Sequence, residues 1–106
     1  MVSMKKTLVA AAIAMGTLAS PAMAELFRVY NQTGQSITGV WFTSERVDVW
    51  DAERLRGNVV RNGQYYQANI TNPLGCIYDL RVQYGSGQME EWYGINICGS
   101  GSYTIR

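Results

Sequence analysis

From Cys76 to Tyr84 the residues Cys76, Tyr78, Leu80, Val82 and Tyr84 alternate with Ile77, Asp79, Arg81 and Gln83. A period of two marks a half-buried strand with one apolar face, and it places Asp79 and Arg81 together on the outer face. Similar short runs of β-branched and aromatic residues predict strands at 26–31, 37–43, 64–70, 89–97 and 103–106. In the 64–70 strand, Tyr66, Ala68 and Ile70 are expected to face inward. Helical periodicity is almost absent beyond the first 24 residues.

Turns are expected at Thr33-Gly34-Gln35, Arg61-Asn62-Gly63, Asn72-Pro73-Leu74-Gly75 and Gly85-Ser86-Gly87. Asn62-Gly63 reads as a hairpin turn, since both residues tolerate positive φ, with a short strand at Val59-Val60 as its first arm. The expected fold is all-β: a small antiparallel β-sandwich or partly open barrel of about six to seven short strands.

Two features interrupt this pattern. Trp92 has the opposite parity to Ile95 and Ile97, so either a bulge near Gly94 returns all three to one face, or the hairpin is regular. With Ser86-Gly87-Gln88 as the loop, the regular form sets Cys76 opposite Cys98; both arrangements remain open at this point. The segment 44–58, SERVDVWDAERLRGN, carries no strand signal. There Asp51 is expected to cap one helical turn containing Glu53, Arg54 and Leu55, ended by Gly57, with Trp50 and Leu55 pinning the connection to the core.

Residues 1–24 add a compartment to this picture. Lys5 and Lys6, an apolar run from Leu8 to Met15 and an Ala22-Met23-Ala24 exit form the three parts of a secretory signal, with cleavage expected after Ala24. The run is broken by Gly16 and Thr17 and falls short of the roughly 20 residues that span a bilayer. The expectation is one exported domain at 25–106 in the periplasm or the medium, with no membrane association once the signal is removed. An oxidising compartment and a small core both favour a covalent staple, for which Cys76 and Cys98 are the available pair.

Charge and composition narrow the function. Without the signal the chain has seven arginines against eight acidic residues, which leaves no basic excess to release counterions from nucleic acid. The sequence contains no histidine, which removes the usual neutral-pH general base and the commonest metal ligand. Four of the five methionines lie in the signal, so a thioether metal site is not expected and no cofactor is implied.

Asp48, Asp51 and Glu53 form the densest acidic cluster and raise the question of calcium in the 48–53 loop. Their spacing fits no twelve-residue calcium loop, and Arg46, Arg54 and Arg56 stand near enough for ordinary ion pairs. Paired carboxylates could also serve a glycosidase, but so short a chain offers little room for the cleft. The cysteines lack the Cys-x-x-Cys spacing of a redox pair. Asn31-Gln32-Thr33 and Asn69-Ile70-Thr71 match the glycosylation pattern, read as coincidence beside a bacterial-looking signal.

All twelve aromatic residues lie beyond the signal, more than a small core encloses. Alternation sends one of each adjacent pair outward; Tyr65, Tyr93 and one of Trp41 or Phe42 are the rings expected to be exposed. Trp41, Tyr65, Trp92 and Tyr93 are therefore the candidate binding residues, against a structural role in cross-strand packing.

The stretch from Trp50 to Cys98 also resembles a group of small exported proteobacterial proteins. The shared pattern is a Trp-Asp/Gly start, a Leu-x-Gly step, a glycine turn, a Cys-x-Tyr/Trp-Asp-Leu/Ile-Arg strand and a closing Leu/Ile-Cys. Trp50, Asp51, Leu55, Gly57, Gly63, Cys76, Tyr78, Asp79, Leu80, Arg81, Gly87, Ile97 and Cys98 fill those places, while Ser86 stands where the group has an acidic residue. The resemblance implies a compact all-β fold and export, and no particular activity. It sharpens structural roles for Asp79, Arg81, Trp50 and Asp51. Facing outward at i and i+2, Asp79 and Arg81 could form a lateral ion pair or reach back to the Trp50 loop. The second is preferred, with the Arg81 fork expected to bind Asp51 or loop carbonyls. The function expected is a non-enzymatic binding or structural module contacting an envelope protein. The alternatives are a cell-wall sugar stacked on Trp or Tyr and, behind it, inhibition of a hydrolase.

Overall fold

Six strands form close to the alternating runs in the computed structural model, which describes residues 24–99 and 101–106. The expected signal, apart from Ala24, lies outside the described residues. The strands are β1 (Glu25–Asn31), β2 (Ile37–Ser44), β3 (Tyr65–Ile70), β4 (Ile77–Tyr84), β5 (Met89–Asn96) and β6 (Ser102–Ile105). They build two three-stranded sheets, ordered β3-β1-β6 and β2-β4-β5. No strand is shared between the sheets, so the architecture is sandwich-like and not a closed barrel.

Pairing is antiparallel except in one place. β6 runs parallel to β1, with Arg28 opposite Ser102 and Asn31 opposite Ile105, which corrects the all-antiparallel expectation. The reason is topological: the chain leaves β5 in one sheet, crosses to the other, and arrives beside β1 travelling in the same direction.

The inner faces follow the period of two. Phe27 from β1 meets Phe42 from β2 edge-on, their ring centres 5.7 Å apart and their planes at 83°. Leu80, Val82, Val40, Val29 and Ile105 complete a fully buried centre around them. Trp92 and Tyr103, at 6.0 Å, close the side where β5 lies over β6.

The β4–β5 hairpin takes the bulged form. Leu80 pairs with Trp92 and Tyr78 with Ile95, so Tyr93 and Gly94 together oppose Asp79. Gly94 has φ of 78°, open only to residues that tolerate the left-handed region, and its N–H donates to Asp79 Oδ1 at 3.1 Å. The bulge restores parity: Ile95 and Ile97 are buried and Trp92 packs against the core. Ile97 N–H donates to the Cys76 carbonyl at 2.8 Å, and the Cys76–Cys98 disulfide ties the ends of these neighbouring strands across a Cα separation of 5.3 Å.

Asn62-Gly63 turns the chain without making a hairpin. Gln64 N–H donates to the Arg61 carbonyl, as a turn requires, but the two flanks pair with different sheets. Val60 bridges Ile37 of β2, whereas Tyr65 pairs with Tyr30 of β1. The expected first arm at Val59-Val60 is thus a single bridge, and the turn is the corner between the sheets.

Candidate functional site

The long connection between β2 and β3 folds over the edge of β2 as a clip. On the edge itself, Glu53 Oε2 accepts from Val40 N–H at 2.9 Å, and Arg54 N–H donates to the Val40 carbonyl at 2.8 Å. Ile37 and Val60 exchange both their backbone bonds at 2.9 Å. Leu55, 3% exposed, reaches the core on the inner side of β2, while Trp50 lies on the outer side. The clip thereby satisfies the backbone of a strand that would otherwise be an open edge.

No helical turn forms within it. Residues 53–55 are irregular and bent, and the chain then turns at Arg56 and Gly57, with φ of 52° and 91°. The cap is Glu53 and not Asp51: its carboxylate also accepts from Leu55 N–H at 2.6 Å and Arg56 N–H at 2.8 Å. Burial alone would raise the Glu53 carboxyl pKa, but the donors from Val40, Leu55 and Arg56 outweigh it and hold the pKa below its ordinary value. Asp51 is exposed, and its backbone N–H donates to Thr43 Oγ1 at 2.8 Å.

On the outer face of the β2-β4-β5 sheet, the Arg81 guanidinium lies 5.5 Å from the Trp41 ring centre and 5.4 Å from that of Trp50. Its Nε sits 3.2 Å from Glu91 Oε2 on the paired strand, and the Tyr93 hydroxyl donates to the other oxygen of Glu91. Arg81 therefore reaches the Trp50 connection through its planar face, and its Nε forms an ion pair with Glu91. Gly39 makes room for this stack, since a Cβ there would stand 2.8 Å from Trp41 Cη2. Asp79, expected on an outward face, is only 3% exposed, because the Tyr93-Gly94 bulge and the clip at its neighbour Thr43 cover it.

Acidic side chains are spent on backbone and phenol donors. Besides Glu53 and Glu91, Glu90 accepts the Tyr84 hydroxyl, and burial followed by that bond pushes the Tyr84 phenol pKa well above its ordinary value. Among the described residues, no three acidic or cysteine side chains converge to hold a metal ion, in the 48–53 loop or elsewhere. A shallow groove of about 490 Å³ does lie there, lined by Asp51, Ala52, Glu53, Arg54, Arg56 and Tyr66.

The outer face of the β3-β1-β6 sheet is arranged differently. Tyr65, 47% exposed, stacks on Tyr30 at 5.3 Å and carries the Arg28 guanidinium 4.5 Å from its ring centre. Arg28 is held from two sides, donating from Nε to Gln67 Oε1 at 3.2 Å and from Nη1 to the Tyr30 hydroxyl at 3.3 Å. Of the expected binding residues, only Tyr65 joins this cluster. Tyr93 is exposed at 61% on the opposite sheet, whereas Trp41 and Trp92 are half-buried in internal ring contacts.

Sequence reasoning passed over Arg28 and Tyr30, and weighed Asn31 only as a coincidental glycosylation match. Asn31 is fully buried: Nδ2 donates to the Gln35 and Val60 carbonyls, and Oδ1 accepts from the Thr33 N–H and hydroxyl. Its amide is thus a bracket between β1, the following turn and the clip, which leaves no nitrogen for a glycan. The Asn-x-Thr-Gly run at a strand end was the available sign of such a turn.

Comparison with known protein families, curated proteins and solved structures finds no match, so the functional reading rests on this chain's own geometry.

Proposed function

We propose that this protein is an exported, non-enzymatic binding module that contacts an envelope protein through the outer face of its β3-β1-β6 sheet. The observation that carries this reading is the Arg28–Tyr30–Tyr65 cluster. An exposed tyrosine and an exposed arginine, Tyr65 and Arg28, stand with the half-buried Tyr30 on paired strands, fixed by their own contacts before any partner arrives. Tyr and Arg are the residue types that dominate binding energy at protein interfaces, and pre-fixed side chains lose little entropy on docking. The Cys76–Cys98 disulfide agrees with a non-cytoplasmic compartment.

A protein partner is favoured over a sugar because the tryptophans are engaged at home. Trp41 and Trp50 carry Arg81, and Trp92 meets Tyr103. A non-enzymatic role is supported by the use of the carboxylates, since Glu53, Glu90 and Glu91 each accept structural hydrogen bonds.

The test is capture from periplasmic extract with the oxidised protein, alongside Tyr65→Ala and Arg28→Ala variants of unchanged circular dichroism. A protein retained by the parent and lost by both variants is expected. Equal capture by all three, or tryptophan fluorescence that responds to cell-wall sugars, contradicts the reading.

A further inference from the structure

The two sheets have four edge strands, and three of them are protected. β2 is closed by the clip, β5 carries Glu90, Glu91 and the Tyr93-Gly94 bulge, and β6 has only four residues. β3 has none of these devices in its own sequence, and the charge that lies over it, Arg28, comes from β1. Its sequence, YYQANI, contains no charge, proline or glycine, and its register with β1 is unbroken from Glu25–Ile70 to Tyr30–Tyr65.

The direction of its free backbone groups follows from its neighbours. Arg28 N–H donates toward β6, to the Gly101 carbonyl, whereas Asn31 N–H donates toward Gln64 at the start of β3. Even-numbered residues of β1 therefore face β6 and odd-numbered residues face β3. The β3 residues opposite Arg28 and its even-numbered neighbours, namely Tyr65, Gln67 and Asn69, direct their N–H and C=O groups away from the sheet.

We propose that the β3 edge pairs antiparallel with β3 of a second copy, about a twofold axis at Gln67, to make one continuous six-stranded sheet. This register sets Gln67 against Gln67 of the partner subunit, Tyr65 against Asn69 of the partner subunit, and Tyr66 against Ala68 of the partner subunit. It is the parity that keeps outward residues outward on both copies while the free groups of residues 65, 67 and 69 meet. No ionised side chain lies on either strand. The charges nearest the axis are the two Arg28 guanidiniums, each held over its own Tyr65 and bonded to its own Gln67, so screening by salt favours the pairing.

The groove supplies the second argument. It lies between Tyr66 of β3 and the clip residues Asp51, Ala52, Glu53, Arg54 and Arg56. Tyr66 is only half-buried there, and a strand added at this edge covers more of its ring. This inference stands apart from the binding function proposed above.

Sedimentation or light scattering of the oxidised protein from micromolar to millimolar concentration tests it. The parent is expected to dimerise. Gln67→Pro removes an outward N–H without touching the bonds to β1, and should weaken the dimer at least about tenfold, or about 1.4 kcal/mol. Gln67→Lys and Gln67→Glu, which leave the backbone unchanged, should each be monomeric alone and form a heterodimer when mixed. A parent that stays monomeric at millimolar concentration overturns the proposal. So does a Gln67→Lys variant that dimerises as well as the parent.

Discussion

The Arg81 guanidinium lies 5.4 Å from the centre of the Trp50 ring, on the face of the β2-β4-β5 sheet that points away from the core. Leu55, a few residues further along the same connection, is buried on the opposite side of β2. One segment thus grips a strand from both faces and along its edge.

Removing one grip should loosen the clip and leave the sandwich standing. Arg81→Ala forfeits a half-buried cation–π contact and the Glu91 pair, a loss on the order of 1–3 kcal/mol. We expect a lower melting temperature and faster proteolysis within residues 45–58. An unchanged digestion pattern would remove Arg81 from this role.

Acid should act through Glu53. Its folded pKa lies below the ordinary 4.5, so the carboxylate's contribution is fully present above that value and is lost as pH falls through the folded pKa. A Glu53→Gln variant should be less stable than the parent at neutral pH and show a flatter acid limb. Parallel pH–stability curves for the two proteins would refute the assignment.

Two glycines should fail for different reasons. At Gly94 nothing stands within 4 Å of an added Cβ, so Gly94→Ala costs backbone strain alone, about 1–2 kcal/mol from φ of 78°. Gly39→Ala instead drives a methyl into Trp41, and a change in tryptophan emission should accompany its loss of stability. Unaltered emission in Gly39→Ala, beside altered emission in Gly94→Ala, would invert this account.

The strands were legible because alternation is a local property, and the same parity argument made the bulge at Gly94 one of two open forms. What alternation does not report is the fate of an outward face. Asp79 and Arg81 have outward parity, yet a connection with no strand signal of its own folds back over them. The role of Glu53 was hidden for the same reason, since its principal acceptor bond is to Val40, a strand away. Asn62-Gly63 carried a correct turn and a misleading hairpin, because turn chemistry does not specify which sheet each flank joins. The Arg28–Tyr30–Tyr65 cluster depends on β1 pairing with β3, a contact between strands that are not consecutive in the chain.

Breaking the disulfide should cost roughly 3 kcal/mol in the chain-entropy view. For a chain of this size that corresponds to a fall in melting temperature on the order of 15 °C for a Cys76→Ser, Cys98→Ser double variant. A shift of only a degree or two would show that the staple constrains little.

Amide hydrogen exchange at Val40 tests the clip most directly, because its N–H has the Glu53 carboxylate as partner at 2.9 Å on what is otherwise an open strand edge. The account predicts exchange as slow as that of core amides in β4, and markedly faster exchange in Glu53→Gln. Rapid exchange at Val40 in the parent protein would mean that the connection does not close the edge of β2, and would contradict the account.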